Sequence, residues 1–262
     1  MTPSSLPLHR WRQRVDAADW EAVAAELDTS GGALLPRLLT ADEAVLIRSM
    51  YDDADQFRST VDMARHRFGD GQYRYFHQPY PEPIAALKQV LYPRLLPIAR
   101  DWAMRLGRPG TWPDTLDEWL DQCHAAGQTR STAILLRYKE NDWNALHQDL
   151  YGDLVFPLQV VINLNEPGVD YMGGEFMLVE AASASAVPRH RVQHSIRARL
   201  SVHHPRTAGS ICAWVVGGPC PARSFARSVR RAPHPRAGIS RRALIGAPFA
   251  IPRYWQPLIT LA

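Results

Sequence analysis

Three short runs of β-forming residues, 131–138, 154–164 and 174–180, are crowded into 50 residues. They follow about 130 residues in which apolar side chains recur at helical spacing. A chain that places its helices first and its strands afterwards cannot alternate them into a parallel α/β sheet, so it has to pack a helical layer against a sheet made by later segments. The fold class expected is α+β: residues 1–130 pack on the core, residues 131–180 begin the sheet, and residues 181–262 form a tail of doubtful structure.

Within the first part, Trp11, Val15, Trp20, Val23, Ala24 and Leu27 read as one amphipathic helix over residues 9–27. Residues 32–39 are a short strand candidate. Thr40 with Glu43 three positions on has capping-box spacing and opens a helix to about residue 53. Residues 58–61 and the Tyr73, Tyr75 alternation after a Gly-Asp-Gly turn read as strands. Tyr73, Tyr75, Phe76, His77 and Tyr80 form an aromatic path, for which packing at a helix–sheet junction is the ordinary reading and a pocket lining the sharper one. Ile84, Leu87, Val90, Leu91, Leu95 and Leu96 mark a helical face in residues 82–107, where Pro93 and Pro97 predict a kink or break. Leu116, Trp119 and Leu120 mark another helix in 112–126.

The net charge of +4 conceals a boundary. All 26 acidic residues lie in the first 180, whereas residues 181–262 carry 13 arginines and no Lys, Asp or Glu. No apolar run reaches the roughly 18 residues needed to span a bilayer, and the N-terminus lacks the basic-then-apolar order of a secretory signal, so no membrane is expected and the cytoplasm is the expected compartment. Cys123, Cys212 and Cys220 have no paired spacing and read as free thiols. The tail's arginines are scattered among Pro, Ala and apolar clusters such as ICAWVV, without aromatic platforms, which disfavours nucleic acid as a partner.

His147 and Asp149 stand two positions apart beside this strand-rich region. Side chains alternate across a strand with period two, so an imidazole and a carboxylate at that spacing face the same way, as two metal ligands would. Such a pair suits Fe(II) in the two-His, one-carboxylate arrangement, and also Zn or Mn. A zinc hydrolase lacks a supporting HExxH motif, and Gly173-Gly174 lacks the third glycine of a dinucleotide site.

The run LLRYKENDWNALHQDLYGDLVFPLQVVINLNEPGVDYMGGEFMLVE resembles the iron(II)- and 2-oxoglutarate-dependent dioxygenases, specifically bacterial proteins related to prolyl hydroxylases. The likeness covers residues 30–180. It implies a double-stranded β-helix, or jelly roll, with an N-terminal helical layer. It implies one Fe(II), 2-oxoglutarate and O2 as cosubstrates, ascorbate as an accessory, and hydroxylation of a C–H bond on a peptide, protein or amino-acid substrate. By the resemblance His147 and Asp149 are the first two iron ligands, and Tyr138 matches a tyrosine that contacts 2-oxoglutarate, a core tyrosine being the equal alternative. Gly173 and Gly174 serve a tight turn, and Asn144 and Gln148 would orient ligands.

The resemblance stops where its second half should lie. A distal histidine and a basic residue for the far carboxylate of 2-oxoglutarate are expected near positions 222 and 233; the chain has Ala222 and RRAPHPR at 230–236. By spacing, His203 or His204 could serve as the distal ligand, but Trp214 stands where the basic residue should follow. A displaced reading frame shortly after Glu180 accounts for both the charge boundary and the missing motif. RRAPHPR can be encoded so that a shift of one base reads Gly-Glu-Arg-His-Thr-Leu-Gly, the family's closing motif. The C-terminal strands are therefore expected to be incomplete and the tail loosely packed, and a non-catalytic jelly-roll remnant is the alternative function.

Overall fold

The computed structural model describes residues 8–35, 38–66, 69–145, 154–166 and 169–172, together with the backbone pairing of strands at 176–179, 190–193, 199–202, 211–214 and 259–261. The chain opens with α1 (Leu8–Asp16), α2 (Trp20–Ser30), β1 (Gly32–Leu34) and α3 (Ala41–Ser49). Two 3-10 turns lead into β2 (Phe57–Asp62), followed by β3 (Gly69–Asp70), β4 (Gln72–Phe76), α4 (Glu82–Arg105) and α5 (Leu116–Ala125). The strands β5 (Ile134–Arg137), β6 (Trp143–Asn144), β7 (Leu158–Ile162), β8 (Phe176–Val179), β9 (His190–Gln193), β10 (Arg199–Val202), β11 (Ile211–Trp214) and β12 (Ile259–Leu261) complete it.

The single helix expected over 9–27 is two. The Asp19 carboxylate accepts the Ala22 amide at 2.9 Å and starts a new helix, while Trp20 Nε1 reaches back across the break to the Val15 carbonyl at 2.7 Å. A side chain that satisfies an orphan donor makes a fresh start cheaper than a continuous helix through Ala17 and Ala18. The capping box is present: Thr40 Oγ1 accepts the Glu43 amide and the Glu43 carboxylate accepts the Thr40 amide. Glu43 also takes the Arg14 guanidinium at 2.6 Å, so one buried carboxylate joins α1 to the start of α3. The helix ends at Ser49 and continues only as a 3-10 turn, short of residue 53.

Of the kink or break expected in 82–107, the break is corrected: α4 runs through both prolines. Pro93 and Pro97 are four apart and exposed, so their missing N–H groups fall on one outer stripe where water can serve the freed carbonyls. The inner side buries fourteen residues, among them Ile84, Leu87, Leu91 and Ala99. Truncating one such residue without refilling costs about 2–5 kcal/mol, so a well-filled core can hold the helix against its prolines.

Seven strands form the main sheet in the order β1-β10-β7-β12-β5-β4-β2, three form a second sheet, β11-β8-β9, and β3 pairs with β6. Every residue of β7 is buried, as expected of a strand covered on both sides. Leu158, Val160 and Ile162 join the helical core with Phe76 and Leu135. Leu136 and Val161 are buried too, but outside that cluster, as alternation requires of the opposite face.

Within residues 181–262 the backbone pairing of four short strands, β9 to β12, is described. β10 lies between β1 and β7, antiparallel to both, and β8 is flanked by β9 and β11. Loose strands were expected there; an interior slot offers backbone groups on both sides, and any extended segment can satisfy them whatever its side chains. β12 differs. Its three residues sit between β5 and β7 and run parallel to both, whereas a jelly roll is antiparallel throughout. The structure is thus a mixed helix-and-sheet fold with mainly antiparallel pairing.

Candidate functional site

On the face of the sheet turned away from the helices, the sequence places Tyr73 opposite Leu136 and Tyr75 opposite Ile134. Tyr138 follows β5 directly and continues that line beside Gly71. A Cβ on Gly71 would stand 2.7 Å from the Tyr138 ring, and its φ of +130° is open to glycine alone, so the ring packs against bare backbone. Burial raises the Tyr138 phenol above its ordinary range and keeps it protonated. Its oxygen accepts a hydrogen bond from Asn144 Nδ2 at 3.3 Å, and Asn144 is itself buried.

Between these two residues the chain turns back. Asn141 takes φ +68°, the Asp142 amide donates to the Lys139 carbonyl, and the Asp142 carboxylate accepts the Lys139 amide at 2.7 Å. The returning strand β6 pairs with β3 in register Gly69↔Asn144 and Asp70↔Trp143. Gly69, with φ +123°, lies so close that a Cβ there would be 2.0 Å from the Trp143 carbonyl oxygen. Trp143 Nε1 donates to Asp70 Oδ2 at 2.9 Å. The hairpin that feeds the His147 segment is therefore clamped from both sides of Asn144.

His147, Gln148 and Asp149 lie outside the described residues, as do Gly173, Gly174, His203, His204, Ala222 and residues 230–236. The covalent chain still bounds their place. Three peptide bonds separate Asn144 from His147, so their Cα atoms are at most about 11 Å apart. Among the described residues no group of three or more His, Cys, Asp or Glu could hold a metal. Tyr138 and Asn144 are thus the two sequence-predicted site residues that the fold brings together.

At the other end of the same face, Arg58 stacks over the Tyr75 ring at 4.2 Å and donates to Ser131 Oγ and to the Ser131 carbonyl, each at 2.9 Å. Tyr80 accepts from the Thr132 amide at 3.2 Å and from Lys88 Nζ at 3.4 Å. Burial works against ionisation of Tyr80, yet the Lys88 ammonium and the backbone donors outweigh it and pull the phenol below its usual value. The aromatic path read in the sequence is therefore split, Tyr73 and Tyr75 belonging to the open face and Phe76 to the helical core. Sequence reading missed Gly69, Asp70, Trp143 and Lys88. The Gly-Asp-Gly at 69–71 was a signal for close backbone approach; nothing in the sequence marked Lys88 as buried.

Residues 71–202, just over half of the chain, match the family model Oxygenase-NA, described as "Oxygenase, catalysing oxidative methylation of damaged DNA". Two proteins from two strains of Mycobacterium tuberculosis, both described as uncharacterized, are 69% identical over 105 residues, which is 40% of this chain and 45% of theirs. The chain thus spans less than half the length of the curated relatives it matches. A crystal structure of a Pseudomonas putida prolyl-4-hydroxylase is similar with a TM-score of 0.41 and 15% identity, over 77% of this chain and 93% of that one.

Proposed function

Because the chain belongs to the Oxygenase-NA family, we propose that it is an Fe(II)- and 2-oxoglutarate-dependent oxygenase whose substrate class is damaged DNA. The observation that carries this reading is the His147-Gln148-Asp149 segment falling inside the matched residues, directly after the clamped hairpin. Two imidazoles and a carboxylate with open positions suit Fe(II); by the resemblance His147 and Asp149, and by spacing His204, would hold it. When bound, iron with 2-oxoglutarate supplies the activation of O2 for oxidation of a C–H bond.

The chain's own part is positional. Tyr138 keeps its proton, and Asn144 already fills its acceptor side, so the phenol is left to donate toward a carboxylate such as that of 2-oxoglutarate. Asn144, fixed by its burial and by its pairing with Gly69, sets where the metal-ligand segment departs. The family description leaves nucleic acid open as a substrate class, where the arginine pattern had disfavoured it, and a peptide or amino-acid substrate becomes the rival outcome.

The test is Fe(II)-dependent conversion of 2-oxoglutarate to succinate, with and without methylated single-stranded DNA. We expect turnover stimulated by the DNA and abolished in His147→Ala. Turnover that survives His147→Ala would overturn the metal assignment, and stimulation by a proline-containing peptide instead of DNA would overturn the substrate class.

A second reading, a remnant that no longer turns over, is favoured by the acid-free tail and the parallel insertion of β12. It expects a folded protein that consumes no 2-oxoglutarate, alongside a frame-corrected chain that does.

A further inference from the structure

Among the described residues, Trp143 is the one Trp, Tyr or Phe left open to solvent, at 43% exposure. Its exposure is imposed by the fold. The indole edge is tied to Asp70, the backbone is paired with β3, the carbonyl rests against Gly69 where no side chain would fit, and the next residue is buried against Tyr138. An aromatic ring anchored by its edge presents its faces, and one already fixed in place loses little freedom when a flat ligand stacks on it.

Location and charge narrow the ligand. Trp143 is four residues before His147, so their Cα atoms lie within about 15 Å of each other. The hairpin and its partner strand carry one cation, Lys139, against three carboxylates, Glu140, Asp142 and Asp70, of which Asp70 holds the indole. That balance makes a poor seat for a phosphate and leaves the π face as the attraction offered.

We propose that Trp143 is a stacking platform for an unpaired nucleobase of the DNA substrate. This rests on the reading of damaged DNA as the substrate class. Stacking of one base on an aromatic side chain corresponds to about a 5- to 150-fold change in affinity.

The experiment measures binding of the full chain to labelled single-stranded oligonucleotides by fluorescence anisotropy, intact and with an abasic residue at each position in turn. Trp143→Ala should weaken binding by that factor. Trp143→Phe, which keeps a ring but cannot donate to Asp70, should stay within about threefold of the wild type. One abasic position should cost the wild type as much as Trp143→Ala does and cost Trp143→Ala nothing further. Equal binding by the wild type and Trp143→Ala overturns the platform and leaves the substrate class standing. Trp143→Phe behaving like Trp143→Ala with an unchanged melting temperature also overturns it, since the Asp70 contact would then be what matters. A wild type that binds no oligonucleotide and shows no DNA-stimulated turnover overturns the substrate class and the platform with it.

Discussion

On the helical side of the main sheet, Phe76, Leu135, Leu158, Val160 and Ile162 close against α4 and its neighbours, whereas the other side presents Tyr73, Tyr75, Tyr138 and Gln159. The first surface consists of groups that need only to be covered. The second is made of groups that also need partners, as the Tyr138–Asn144 pair shows, and a partner placed wrongly leaves a buried polar atom unsatisfied. One face of the same strands is therefore held by burial alone and the other by burial together with partnered polar groups.

The contrast can be broken most directly at the C-terminal third. If residues past Glu180 are read out of frame, a frame-corrected chain should turn over 2-oxoglutarate where the chain as it stands turns over none, and sequencing the gene through codons 180–236 decides it. No His and Arg in a strand context in either alternative frame would end that idea. The match to the family model continues to residue 202, past the charge boundary, so a break compatible with it lies between residue 202 and the RRAPHPR segment.

Ile162→Ala, on the helical face, should lower unfolding free energy by about 2–5 kcal/mol in urea, since Ile162 is fully buried. Glu43 serves the same layer through charge. Burial opposes its ionisation, but Arg14 and the Thr40 amide outweigh burial and hold the carboxyl below its ordinary 4.5. A depressed acid stabilises the fold above its unfolded value and stops doing so as pH falls through the folded one, so stability should drain away below about pH 4.5. Glu43→Gln should cost about 1.5–3 kcal/mol at pH 7 and flatten that acid limb.

Gly69→Ala should cost about 1–3 kcal/mol, from both the positive φ and the Trp143 carbonyl. It should also reduce turnover more than that loss explains. Tyr138→Phe strands the buried Asn144 amide, so it should cost about 1–3 kcal/mol, and it should raise the KM for 2-oxoglutarate about tenfold. Parallel losses in stability and turnover for both Ile162→Ala and Tyr138→Phe would mean the two faces are not separable.

Much of the helical layer was legible because its signals are local. Thr40 and Glu43 announce a cap within four residues, and Leu116, Trp119 and Leu120 announce a face within five. The Asp19 restart and the survival of α4 through Pro93 and Pro97 were not legible, because capping and packing decided them against the period. His147 and Asp149 lie outside the described residues, so the strand alternation read for them is an expectation and not an outcome. The close approaches at Gly69 and Gly71 depend on residues more than sixty positions away, which no local pattern carries.

The two prolines of α4 have a kinetic meaning. An interior proline disfavours an isolated helix by about 3 kcal/mol, so the segment 82–105 should be a poor helix until its fourteen buried residues find the sheet. Helix formation there becomes a late event, templated by strands, and far-ultraviolet ellipticity should arrive with side-chain packing during refolding.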